Sequence, residues 1–206
     1  HASLLPAYRG AAPIHRALLA GESHTGLSVI TIADRIDAGK ILGQCTTEIH
    51  PYETAGDLHD RLAALGPGLV QDVLLQHANA TLTARAQDET LVTNAPKLSR
   101  AESTVSFDLP ADSVRNHIHG LTPWPGCDVL VAGHKLRLLH AEVVDTSSHQ
   151  AAPGTIDDTG VVACNPGSIR LLKVQSPGRK PLAFLDWHRG HPLPQDSRCM
   201  PIEAAS

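Results

Sequence analysis

His1-Ala2-Ser3-Leu4-Leu5-Pro6-Ala7-Tyr8-Arg9-Gly10-Ala11-Ala12-Pro13-Ile14-His15-Arg16-Ala17-Leu18-Leu19-Ala20-Gly21 is the stretch that decides the fold. Pro13 suits a first helical turn, Ile14, Ala17 and Leu18 share one helical face, and Gly21 can close the helix in the left-handed conformation. Residues 27–32 then form a β-branched run after Gly26, and residues 45–49 give a second candidate strand, so the two are expected in one sheet. Thr54 with Asp57 three positions later makes a capping box, followed at helical spacing by Leu58, Leu62 and Leu65. Gly66-Pro67-Gly68 predicts a break or kink before Leu69, Val73 and Leu74 resume the pattern. Residues 1–80 therefore read as α/β.

Residues 81–99 are polar, lack a sustained period and contain Asn94-Ala95-Pro96, which favours an extended linker. From residue 100 the character changes again. One helix is expected from Pro110 to near Gly120, and Thr122-Pro123-Trp124-Pro125-Gly126 follows as a rigid turn with Trp124 as a packing anchor. Residues 129–131 and 135–139 flank Ala132-Gly133-His134, and residues 161–164 and 169–174 flank Asn165-Pro166-Gly167-Ser168. These two hairpins predict a small β-barrel over 100–206.

The 206 residues are 42% hydrophobic and 18% charged, ordinary values for a folded protein, and no stretch approaches the roughly 18 apolar residues of a membrane span. The chain starts on histidine with no signal sequence, so a fragment is expected. Four cysteines, Cys45, Cys127, Cys164 and Cys199, lie far apart in sequence, which fits a reducing cytosol and a cytoplasmic location. The thirteen histidines are scattered; His117 and His119 fall on different faces of a helix, and no metal is expected. Ser3 and Ser28 lack the elbow of a serine hydrolase. The net charge of −4 hides a basic segment from Cys164 to Met200, where Arg170, Lys173, Arg179, Lys180, Arg189 and Arg198 outnumber Asp186 and Asp196, a pattern suited to a polyanion.

His1-Ala2-Ser3-Leu4-Leu5-Pro6, Arg9-Gly10-Ala11-Ala12-Pro13-Ile14, Thr25-Gly26 and Asp34-Arg35-Ile36-Asp37-Ala38-Gly39 together resemble the folate-dependent formyltransferases, whose motifs are N-x-H-x-S-L-L-P, R-G-x-x-P and an aspartate loop after a strand. Gln87-Asp88-Glu89-Thr90, Ala95-Pro96-Lys97-Leu98-Ser99, Pro123-Trp124-Pro125 and Pro153-Gly154-Thr155-Ile156 resemble landmarks of the branch that acts on methionyl-tRNA. The resemblance implies that residues 1–80 are the carboxy-terminal half of a Rossmann-like formyltransferase domain and that residues 100–206 are an OB-like tRNA-binding domain.

The same resemblance implies formyl transfer from 10-formyltetrahydrofolate, as co-substrate, to initiator methionyl-tRNA in translation initiation, with no obligate protein partner and no membrane. His1 and Asp37 fall on the catalytic histidine and aspartate, and Ser3, Leu4, Leu5 and Pro6 fall on the folate-contacting loop. A histidine that titrates near neutrality can stabilise an oxyanion and carry a proton, and a nearby carboxylate favours its charged form. Lys97, Arg100, Arg170, Lys173, Arg179 and Lys180 are candidate phosphate contacts, whereas Arg9, Gly10 and Pro13 are read as folding residues. The family's asparagine two positions before the histidine has no counterpart here, so the isolated polypeptide is expected to be nearly inactive. An RNA-binding module without catalysis and a sugar-amine formyltransferase are the alternatives.

Overall fold

The computed structural model describes residues 1–147 and 151–203. Two compact units emerge. One is His1–Leu18 with Glu22–Lys97, and the other is Leu19–Gly21 with the described residues from Leu98 on.

The first unit contains β1 (Arg9–Gly10), most of α1 (Pro13–Ala20), β2 (His24–Ile30), β3 (Ile41–Glu48), α2 (Ala55–Ala78) and β4 (Asn94–Ala95). The two expected strands pair, β2 running antiparallel to β3 from His24–Glu48 to Ile30–Ile41, with an irregularity at Val29/Ile30. β1 pairs parallel with β4. Thr54 caps α2 as its sequence suggests: the Asp57 amide donates to Thr54 Oγ1 at 3.2 Å, and the Thr54 amide donates to Asp57 Oδ2 at 3.0 Å. Leu18, Ala55, Leu58 and Leu62 form the core, with Ala2, Ile14, Leu27 and Ile49 packed against it.

The break expected at Gly66-Pro67-Gly68 does not occur, because α2 runs continuously through Pro67. Proline removes one intrahelical hydrogen bond and strains the preceding turn, but packing on both sides keeps the segment helical. Leu58 and Leu62 are buried before it, and Val73 is buried after it. Gly43 on β3 lets the far half approach, since a Cβ there would sit 2.6 Å from Val73 Cγ2. Residues 81–97 also differ from a free linker. They belong to the first unit, and the backbone of Arg85 exchanges hydrogen bonds of 2.8 Å with that of Ile41 in both directions.

The second unit contains α3 (Ala111–Gly120), β5 (Cys127–Val131), β6 (His134–Asp145), β7 (Val161–Ala163), β8 (Ser168–Gln175), β9 (Leu182–Ala183), α4 (Phe184–Gly190) and β10 (Cys199–Pro201). Its sheet has the order β10-β5-β6-β8-β7, with β9 also on β8, and it curls into a half-barrel. The curl follows from β6, whose register against β8 shifts three times between Leu138 and Asp145, since bulges bend a strand and raise its twist. One shift adjoins Ala141, whose amide donates to Nε2 of the buried His119 on α3 at 3.0 Å. α4 and β10 carry no clear signal in the sequence. Trp124 is 46% exposed and so does not anchor this core; Phe184 and Trp187 of α4 are buried instead.

Cys127, Cys164 and Cys199 are buried. Loss of hydration pushes their thiols up to about 12, 11 and 12, so little thiolate forms at pH 8. An alkylating reagent is expected to leave these three unmodified in the folded protein and to reach them only after denaturation, which peptide mass mapping reads directly.

Candidate active site

His1 is placed by β2: its backbone nitrogen donates to the Ser28 carbonyl, and the Ser28 amide donates in return to the His1 carbonyl, each at 2.9 Å. The imidazole is 10% exposed. Its Nε2 lies 2.9 Å from the Tyr8 carbonyl oxygen, and since a carbonyl only accepts, Nε2 carries a hydrogen. Nδ1 is therefore the proton-exchanging position. It faces Asp37 Oδ2 at 3.4 Å.

Asp37 sits in the loop joining β2 to β3 in the left-handed region, with φ of 55°. The Thr31 amide donates to the Lys40 carbonyl at 3.0 Å, and the Lys40 amide donates to Thr31 Oγ1 at 2.9 Å, closing the base of this loop. Oδ2 of Asp37 accepts the Gly10 amide at 2.8 Å. The carboxylate is 22% exposed, so the pair is shielded on several sides and still reachable. An imidazole and a carboxylate held 3.4 Å apart can take a proton from an amine and return it to a leaving group.

The remaining sequence-derived positions are arranged less uniformly. Ser3 is buried, its Oγ donating to the Ala7 carbonyl at 2.6 Å, and Leu5 belongs to the core. Their side chains shape the turn, leaving Leu4 and Pro6 as the half-buried members of that loop. Ser28 Oγ ties the turn to β2 by donating to the Ser3 carbonyl at 2.7 Å and accepting from Gln44 Nε2 at 2.8 Å.

Beside Asp37 opens a cleft of about 620 Å³ whose lining includes Arg9, Gly10, Arg35, Glu89 and Lys97. Arg9, read from sequence as a folding residue, is buried and binds Gln87 and Glu89: Nη2 donates to Gln87 Oε1 at 2.7 Å and to Glu89 Oε1 at 2.9 Å. Arg35 also donates to Glu89. Gln87 and Glu89 stand in sequence only as part of a connector landmark, and Gly10 only as a folding residue, so none of the three was expected at the site. Their signal was the Gln87-Asp88-Glu89 run itself, whose polarity resembles a linker.

Hydrogen bonds from Arg9 and Arg35 hold the Glu89 carboxyl down to about 2, against an ordinary 4.5. A depressed carboxylate keeps its partners throughout the usual acid range and loses them only as pH falls through the depressed value. A carbon-13 NMR titration is expected to place the Glu89 midpoint near 2, and in an Arg9→Ala variant nearer 4.5.

In the second unit, Lys173, Arg179 and Lys180 are exposed, and Arg179 and Lys180 lie in the turn between β8 and β9. Arg170 is different, because it donates to Glu142 on β6 at 2.8 Å. Arg100 is exposed in the short 3-10 turn Arg100–Ser103, and Lys97 is exposed at the end of the first unit. Among the described residues no three His, Cys, Asp or Glu side chains gather so as to hold a metal ion, and no helix is long and apolar enough to cross a membrane.

Comparison with known proteins gives consecutive family matches: residues 1–74 match the formyl transferase model, and residues 97–192 match the formyl transferase carboxy-terminal domain. Methionyl-tRNA formyltransferase of Pseudomonas paraeruginosa is 40% identical over 190 residues, covering 90% of this chain and 60% of that protein. The enzyme of the same name from Cereibacter sphaeroides is 38% identical over 198 residues, covering 96% of this chain and 64% of its own length. The chain thus spans about three-fifths of the length of these relatives. Among solved structures, the sugar 3N-formyl transferase WlaRD, in the presence of dTDP and 5-N-formyl-THF, superposes with a TM-score of 0.71 at 16% identity, covering 87% of this chain and 65% of that one. With its amino-terminal and carboxy-terminal segments both matched in order, the chain belongs to the formyl transferase family.

Proposed function

We propose that the natural protein transfers a formyl group from 10-formyltetrahydrofolate to the amino group of methionyl-initiator tRNA. The observation that carries this reading is the His1–Asp37 pair, 3.4 Å apart on the motif loops of a formyl transferase segment. Roughly 40% identity to methionyl-tRNA formyltransferases supports the acceptor.

The amine nitrogen adds to the formyl carbon, which leaves an anionic oxygen on carbon and a positive charge on nitrogen. His1 and Asp37 relay the ammonium proton to N10 of the folate, after which the carbon–N10 bond breaks and the formyl group stays on the methionyl nitrogen. Tyr8 holds the imidazole tautomer through its carbonyl, and the Gly10 amide fixes the Asp37 carboxylate. Leu4 and Pro6, half-buried beside this pair in sequence, suit the apolar faces of a folate, while Ser3 and Leu5 shape their loop. The curled sheet of the second unit is the family's OB-like tRNA-binding domain in this reading. Lys97, Arg100, Lys173, Arg179 and Lys180 contact phosphates there or at the connector, and Arg170 contributes once it exchanges Glu142 for a phosphate. The protein acts in the cytoplasm. Because the chain spans only 60% and 64% of its relatives, residues 1–206 alone are expected to turn over far more slowly than the full-length protein.

Binding to methionyl-tRNA as a function of salt tests the acceptor. Several phosphate contacts give a steep negative slope of log affinity against log salt, about 0.9 per contact on duplex RNA if it behaves as B-DNA does. A flat slope together with formylation of a dTDP-linked amino sugar would assign the protein to the sugar-amine branch. A steep slope without any formyl transfer would mark an RNA-binding module.

A further inference from the structure

We infer that Gln87, on the segment following α2, is a positioning residue for the Asp37 loop; the inference rests on the proposed role of Asp37. The loop from Thr31 to Lys40 has little apolar packing of its own, since Ile32 and Ile36 both point into solvent and only Gly39 is buried. Polar contacts must therefore fix the carboxylate. Gln87 supplies two of them, its Nε2 donating to the carbonyls of Asp37 and Gly39, each at 2.7 Å.

The other end of the same amide accepts from Arg9, at 3.1 Å from Nε and 2.7 Å from Nη2. Two carbonyls can only accept and a guanidinium can only donate, so the partners determine which atom is nitrogen and which is oxygen. All four hydrogen-bonding positions of the amide are then filled. Arg9 is itself held by Glu89, and its neighbour Gly10 gives the Asp37 carboxylate its amide hydrogen bond. One dipeptide thus grips the loop twice, once through the Gly10 amide and once through Gln87.

β1 is in turn fixed to the same segment. The Arg9 amide donates to the Thr93 carbonyl at 2.9 Å, and the Tyr8 amide donates to Thr93 Oγ1 at 2.8 Å. Tyr8 also supplies the carbonyl that orients His1. The run from Gln87 to Thr93 therefore sets both members of the pair, Asp37 directly through Gln87 and His1 through Tyr8. No shorter or differently charged side chain can replace Gln87. Asparagine falls short by a methylene, and glutamate keeps the contact with Arg9 but turns an oxygen toward two carbonyl oxygens.

The test uses the full-length protein with Gln87→Ala, Asp37→Asn and the double variant, read by formyl transfer and by amide hydrogen exchange at Gly10. Gln87→Ala is expected to lower kcat about 10- to 100-fold, the scale of a misplaced catalytic group, with the KM for the folate little changed. In the Asp37→Asn background it is expected to cost nothing further, because its effect runs through Asp37. Exchange at Gly10 should quicken about tenfold, the scale of two lost hydrogen bonds. Wild-type kcat and Gly10 protection in Gln87→Ala would overturn the inference. So would a loss that multiplies with that of Asp37→Asn, which marks general destabilisation. If Asp37→Asn keeps full turnover, the proposed function of the pair fails instead. Gly10 exchange then decides alone whether Gln87 holds the loop, faster exchange supporting it and unchanged exchange overturning it.

Discussion

Asp37→Asn is expected to lower kcat for formyl transfer by about 10²- to 10⁴-fold, the range of a lost general acid–base group. Asparagine is nearly isosteric, and its side-chain carbonyl can still accept the Gly10 amide that now donates to Oδ2 at 2.8 Å. The loop therefore keeps its shape while the negative charge facing His1 Nδ1 disappears. The loss should fall on kcat rather than on substrate affinity, since an interaction needed only as charge develops leaves ground-state binding untouched. Steady-state kinetics with the folate and acceptor varied separately checks this, and an unchanged melting temperature shows that the unit remains folded.

Gly39→Ala is expected to be the more damaging change, removing activity and destabilising the first unit together. A Cβ at this position would sit 1.7 Å from the Thr31 carbonyl oxygen and 2.6 Å from its carbon. Both are backbone atoms, so no rotamer relieves the clash, and the contacts that close the loop between Thr31 and Lys40 must open. Opening them moves Asp37, two residues away, and withdraws the Gly39 carbonyl from Gln87. A loss of at least 10² in turnover corresponds to a displacement of about 1 Å in a catalytic group. Thermal melting beside the kinetic assay separates this variant from Asp37→Asn, since only Gly39→Ala should lower both.

What could be read from the amino-acid sequence depended on how local the cause was. Thr54 and Asp57 cap α2 through atoms three residues apart, and the pairing of β2 with β3 needs only two adjacent strands with a loop between them. His1 and Asp37 were found through motif resemblance, and the chain brings them together because β2 ends where the Asp37 loop begins. The break expected at Pro67 is absent because the packing that keeps α2 continuous involves Gly43 on another element, which the helix sequence does not show. Residues 81–99 were read as a linker for a related reason. Their polarity is satisfied by partners up to 85 positions distant, as when the Tyr8 amide donates to Thr93 Oγ1, and a polar run with distant partners has the composition of a polar run with none. Trp124 shows the reverse error: two flanking prolines suggested a buried anchor, and the side chain is 46% exposed.

The basic residues illustrate the same limit in the second unit. Arg170 and Lys173 lie on one strand three positions apart, yet Arg170 is matched by Glu142 across the ladder while Lys173 is exposed. Charge counted along the chain could not separate them, because the pairing depends on the register of β6 with β8.

The account turns on formyl transfer by the His1–Asp37 pair. Its most direct test is a single assay of labelled formyl passing from 10-formyltetrahydrofolate to methionyl-initiator tRNA, with the natural full-length protein beside its Asp37→Asn variant. The account predicts formylmethionyl-tRNA from the first and about 10²- to 10⁴-fold slower formation from the second. Equal rates from both proteins, or no formylation by either, would contradict it.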